Sequence, residues 1–209
     1  MNLTLIGSTG KVGRELMNQA LDAGHAVTVL VRNPDKLDTL RSRVTVVQGD
    51  VTDVSAVDRA VTFAEAVLST LGHTRGSASD LLTVASSNVV KVMRQRDVRR
   101  LVVLTNTAIS DPGDQPTSGQ KIMGTVMGLA IGRVNRDHIA QAQVIAESEL
   151  DWTIVRAVML SNGPHSGKYK VGKLDSSAGS HIARADVADF MLATLTTTTY
   201  LRSMAVISQ

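Results

Sequence analysis

Cysteine is absent from this chain, which excludes disulfides, thiolate metal sites and a cysteine nucleophile. Aromatic residues make up only 2 % of it, one Trp, two Tyr and two Phe, so surfaces on which nucleobases stack are nearly missing. No apolar run approaches the ~20 residues that cross a bilayer. No basic-then-apolar leader precedes the first apolar run. Charge is not one-sided: the formal net charge is +3. The one basic cluster, Arg94, Arg96, Arg99 and Arg100, falls at a helix end, where cations have an ordinary structural use. No His, Asp or Glu group has metal-ligand spacing. These absences predict a soluble cytoplasmic protein with no nucleic-acid, membrane or metal partner.

What is there is alternation. Apolar, β-leaning runs at Leu3–Ile6, Ala26–Val31, Val44–Gln48, Ala66–Thr70, Leu101–Thr105 and Trp152–Arg156 are separated by helical patterns at Lys11–Ala23, Asp80–Arg96 and about Asn135–Leu150. Shorter helices are expected at Pro34–Arg41 and, capped by Asp53, through Ala60. A last helix is expected to start at Asp186, with a last strand at Met204–Ile207. Such alternation implies crossover connections: an α/β, Rossmann-type, doubly wound parallel sheet with helices on both faces, one domain over 1–209. Two irregular stretches, about 108–133 and 161–181, suit a small substrate-side cap. The apolar, glycine-rich Lys121–Gly132 contains Met123 and Met127. It reads either as a surface helix or as a lid whose adaptable methionines wall a substrate pocket.

The first strand runs into Gly7-Ser-Thr-Gly10-Lys-Val-Gly13. Glycines at this spacing, after a strand and before a helix, permit a tight turn, close approach of backbone to phosphate, and close helix–strand packing. The helix start then offers free N–H groups and a positive dipole end. After the second strand, where an NAD site places a carboxylate for the ribose 2′-OH, this chain reads Val31-Arg32-Asn33. A guanidinium there suits a 2′-phosphate, so NADP(H) is expected over NAD(H). Asp50, after the third strand, is placed to accept from the adenine amino group, with Val51 against the ring. Leu71, Gly72, Thr105 and Asn106 end the fourth and fifth strands on the crevice edge.

GSTGKVG, VTVLVRNPDKL, VVQGDVTD, LVVLTN, DHIAQAQVIAESELDWTIVR and HIARADVADFMLATL together resemble the atypical, NmrA-like branch of the short-chain dehydrogenase/reductase superfamily, and within it the small biliverdin reductase B (flavin reductase) group. The resemblance implies a Rossmann fold, bound NADP(H), and hydride transfer to flavins, quinones or similar flat acceptors. It implies Gly7, Thr9, Gly10, Lys11 and Val12 at the phosphates, Arg32 at the 2′-phosphate, and Asp50 and Val51 at the adenine. Leu71, Gly72, Thr105 and Asn106 lie along the cofactor, His138 near the nicotinamide, and Val158, Met159 and Leu160 beside its ring. That group carries Ser where this chain has Asn106 and His where it has Met159. Both departures point away from biliverdin.

Ordinary members of the superfamily use a Y-x-x-x-K pair on the helix after the fifth strand. The match here, Tyr169 to Lys173, comes after the sixth strand, between Gly167 and Gly172, and reads as a short strand or hairpin. The helix that should carry the pair reads VNRDHIAQAQVIAE. Asn106 and His138 remain as catalytic candidates, with Met123, Met127 and Met159 around the acceptor. His138 has a plainer reading, a polar residue in the first helical turn beside Asp137 as a cap. Two functions follow: an NADPH-dependent reductase of flat conjugated acceptors, or a non-catalytic NADP(H) redox sensor acting through a protein partner. An isomerase or reductase of a nucleotide- or isoprenoid-derived substrate is a third.

Overall fold

The computed structural model describes the backbone over residues 1–209 and the side chains of all but residues 123, 124 and 126–131. Its elements run β1 (Asn2–Ile6), α1 (Lys11–Asp22), β2 (Ala26–Val31), a 3-10 segment (Pro34–Arg43), β3 (Thr45–Gln48), α2 (Val54–Val61), β4 (Ala66–Ser69), α3 (Leu81–Gln95) and β5 (Arg100–Asn106). They continue with α4 (Ser118–Ala146), β6 (Asp151–Ala157), β7 (Met159–Ser161), β8 (Lys170–Gly172), β9 (His181–Ala183), α5 (Arg184–Ala193) and β10 (Ser203–Ser208).

One eight-stranded sheet has the order β3-β2-β1-β4-β5-β6-β10-β8. All its pairings are parallel except β10 with β8. The central strands are buried on both sides, and their period of two feeds two cores. Leu3, Leu5, Leu68, Val102, Leu104 and Val155 meet α1 and α5. Ile6, Val67, Leu101, Val103 and Ile154 meet α2, α3 and α4. The chain winds outward from β1 in one direction and from β4 in the other. This reversal opens a crevice beyond the carboxyl ends of those two strands, where ligands bind in such sheets.

Three expectations change. The stretch 108–133 is not irregular throughout: α4 begins at Ser118, far ahead of Asn135, and runs 29 residues. Thr117 starts it through a reciprocal capping box, accepting from the Gln120 N–H while Gln120 accepts from the Thr117 N–H. Asp186 does not start α5. It sits in the first turn, wholly buried, and accepts from the backbone N–H groups of Ser166 and Gly167 and from Gln209. Asp137 is not the cap of its own helix but lies deep within α4. Met123 and Met127 lie outside the described residues.

Candidate functional site

The glycine turn shows why other residues fail there. Gly7 has φ +83°, and a Cβ on it would stand 2.8 Å from the Leu71 nitrogen and from the Thr70 carbonyl carbon. A Cβ on Gly13 would stand 2.2 Å from the Gly7 oxygen. The Gly10 N–H closes the turn on the Gly7 carbonyl at 3.0 Å, and the Thr70 hydroxyl donates to the same carbonyl at 3.2 Å, tying the turn to the end of β4. Helix α1 then begins with no side-chain cap and no acidic residue in its first turn. Its leading N–H groups, at Lys11, Val12 and Gly13, are left for an anion. Ser8, fully buried on the turn, has a hydroxyl without a partner among the described residues. Backbone packed this closely, an uncapped helix start and an orphaned hydroxyl fit a dinucleotide pyrophosphate. Thr9 is half-buried beside them, Lys11 exposed and Val12 buried.

Arg32 is exposed just past β2 and has no ion-pair partner among the described residues. Arg14, by contrast, is committed, donating to Asp38 at 2.8 Å and to the Lys36 carbonyl, and so pins the 3-10 segment against α1. Asp50 is half-buried. Its carboxyl is held below the usual range, first by the Thr52 N–H at 2.9 Å, against the opposing effect of burial, then by the Thr52 hydroxyl and the Arg32 charge. Val51 is buried, and its carbonyl accepts from Asn88. Leu71 is half-buried against the second core, and Gly72 is exposed.

At the far end of the crevice, Thr105 Oγ1 and His138 Nδ1 share a hydrogen bond of 2.9 Å, joining β5 to α4. His138 is buried. Burial, and next the charge of His73, lower its pKa below the ordinary 6.5 against weaker opposing contributions from Asp137 and Gln141, so the ring is neutral at pH 7. Asn106 Oδ1 accepts from the Ala108 N–H, fixing the turn after β5, while its amide nitrogen keeps no partner among the described residues. Val158 and Leu160 are partly buried against the first core, and Met159 between them is 75 % exposed.

Sequence reasoning missed the pair beside His138. His73 Nε2 lies 2.9 Å from Asp137 Oδ2, and that carboxylate also accepts from Leu82 N, Thr83 N and the Thr83 hydroxyl. Asp137 therefore caps α3 from α4. No sequence signal marked it: Asp80 is itself a good capping residue, and only the structure shows that its side chain makes no cap bond. Tyr169 and Lys173 are committed elsewhere: Tyr169 donates to Asp189 at 2.6 Å, and Lys173 pairs with Asp111 at 2.5 Å.

A family described as NAD(P)H-binding matches residues 7–198. Among curated relatives, (4-alkanoyl-5-oxo-2,5-dihydrofuran-3-yl)methyl phosphate reductase of Streptomyces griseus is 28 % identical over 154 residues, 74 % of this chain and 46 % of that one. The chain thus spans about half that relative's length. Among solved structures, the anaerobilin reductase ChuY of Escherichia coli O157:H7 superposes with TM-score 0.83 at 22 % identity, covering 100 % of this chain and 97 % of that one. A Veillonella parvula short-chain dehydrogenase/reductase in complex with NADP superposes with TM-score 0.80 at 22 % identity, covering 100 % and 94 %. Both likenesses are of fold. With the glycine turn, the crevice and a match over residues 7–198, the chain belongs to the NAD(P)H-binding family.

Proposed function

We propose that the protein is an NADPH-dependent oxidoreductase that reduces a flat conjugated acceptor of the flavin or quinone type. The observation that carries this is the surface offered where β5 meets α4. Among the described residues it presents a neutral His138 bonded to Thr105 and a free Asn106 amide, and residues 135–146 of α4 carry no Tyr or Lys. Tyr169, bonded to Asp189 and packed edge-on against Phe190, is unsuited to donate: burial first, then Asp189, push its phenol well above 10.0. Without the Tyr–Lys dyad, reduction of an isolated carbonyl lacks the phenolic acid placed for it, a group of the kind worth about 10²–10⁴ in rate. An acceptor whose reduced anion is delocalised is less demanding.

Bound NADPH supplies the hydride. The protein's residues hold and orient. The Gly7–Gly13 backbone and the α1 start grip the pyrophosphate, Arg32 the 2′-phosphate, and Asp50 and Val51 the adenine. His138 and Asn106 orient groups at the nicotinamide end, and the exposed Met159 offers the acceptor an apolar wall. NADP over NAD rests on Arg32, a free guanidinium where a carboxylate would serve NAD. The reductase names of the furanone-phosphate and anaerobilin enzymes support the reaction class.

Steady-state NADPH oxidation with flavin mononucleotide and with menadione tests the reading. Acceptor-dependent turnover is expected. Tight NADPH binding with no turnover on any of several quinones and flavins would overturn it and leave the redox sensor with a protein partner.

A further inference from the structure

His73 lies in the loop after β4, with its side chain 13 % exposed, and Asp137 beneath it is 1 % exposed. The Asp137 carboxylate has three donors from the start of α3 before the imidazole is counted: two backbone N–H groups, at 2.7 and 3.0 Å, and the Thr83 hydroxyl at 2.5 Å. Burial works against its ionisation. Those donors and His73 outweigh it and keep the carboxyl below its ordinary range. Capping α3 thus explains Asp137 but does not explain why an imidazole is placed on it. The His73 ring stands edge-on to the His138 ring, centroids 6.2 Å apart, and His138 in turn holds Thr105 at the carboxyl end of β5. An Asp-held imidazole therefore sits in the loop after β4, next to His138, the residue already assigned to the nicotinamide end. With Nε2 on the carboxylate, Nδ1 has no partner among the described residues and is the nitrogen left to exchange a proton.

We propose that His73 is the proton donor to the reduced acceptor and that Asp137 is its positioning residue. The inference rests on the reductase reading above. The acceptor takes a hydride, two electrons and one hydrogen, from the reduced nicotinamide and becomes an anion. Imidazolium His73 gives its Nδ1 proton to the anionic oxygen or nitrogen of that acceptor. The neutral imidazole regains a proton from water at Nδ1, while Nε2–H stays on Asp137. Among the described residues, the titratable groups against His73 are Asp137 and His138, both on α4. Helix α3 adds only the Thr83 hydroxyl and backbone N–H groups around the same carboxylate, and β5 the Thr105 hydroxyl.

His73→Gln keeps a donor for Asp137 and cannot titrate. With NADPH and menadione, its kcat is expected to fall about 100-fold, the low end for a lost general acid. The KM for NADPH should stay within about twofold, and one ionisation should vanish from the pH profile of kcat. Nitrogen-15 histidine spectra of the wild-type chain, with His73 assigned by its disappearance in His73→Gln, should show the Nε2–H tautomer in the neutral form. A wild-type kcat and pH profile in His73→Gln, or the opposite tautomer, overturns the inference and leaves the reductase reading standing. A wild-type protein that binds NADPH but turns over none of the flavins and quinones overturns both.

Discussion

Arg32 and Arg14 show how context divides two similar side chains. Arg14 is bound to Asp38 and the Lys36 carbonyl and is a structural tie. Arg32, exposed without an ion-pair partner among the described residues, is left to meet a ligand's charge. If Arg32 holds the 2′-phosphate as proposed, its truncation to Ala removes a charge-assisted contact of about 1.5–3 kcal/mol. NADPH affinity is expected to drop about 10–100-fold, with NADH within about twofold, read by calorimetric titration. An equal loss for both dinucleotides would mean that Arg32 does not touch the 2′-phosphate. The glycine turn was legible in the sequence because its causes are local. A +83° φ and a Cβ 2.2 Å from a carbonyl leave glycine as the fitting residue whatever the tertiary context. The His73–Asp137 pair was not legible. Its members are 64 residues apart, and only the packing of α3 on α4 brings them together.

At the scale of elements, strand and helix positions followed from periodicity, but the span before β6 did not. Glycines at 119, 124, 128 and 132 disguised the start of α4, although Thr117 and Gln120 carried a capping box that marks it. The two late segments are joined by a charge pair that spacing could not reveal. Arg156 on β6 is wholly buried and forms a bidentate pair with Asp114, at 2.6 and 2.9 Å, while donating to the Ile109 carbonyl. Asp114 also accepts from Leu174 N, so the loop before α4 is held to the strand-like 170–174 segment. Burial opposes ionisation of Asp114, but Arg156 and the N–H groups of Leu174 and Asp111 bring its pKa down to about 2. A folded value below the ordinary 3.8 means the unfolded chain binds the proton more readily. The stabilisation is present above about pH 4 and is lost as pH falls toward 2. Asp114→Asn removes that acid window and strands a buried guanidinium, costing about 3–5 kcal/mol at neutral pH. Urea unfolding followed by the fluorescence of Trp152 should show it. A cost under about 1 kcal/mol would mean that the loop releases the arginine to water.

For the whole molecule, the decisive feature is that the crevice belongs to the folded sheet alone. The glycine turn hangs on β1 and β4, the Arg32 corner on β2, and the Asp50 corner on β3, strands from both sides of the winding reversal. No unfolded or half-folded chain presents them together, so a dinucleotide that binds here binds only the native state. Such a ligand at about 100 times its dissociation constant stabilises by roughly 2.7 kcal/mol. For a domain of this size each kcal/mol moves Tm by about 2–4 °C. NADPH should therefore raise Tm by about 5–10 °C, and NADH at equal concentration by markedly less. In Arg32→Ala the two shifts should converge on the smaller one, because the grip on the pyrophosphate is untouched and only the 2′-phosphate contact is gone. Equal shifts by NADPH and NADH in the wild-type chain would remove the NADP preference while leaving the fold and the glycine turn as they stand.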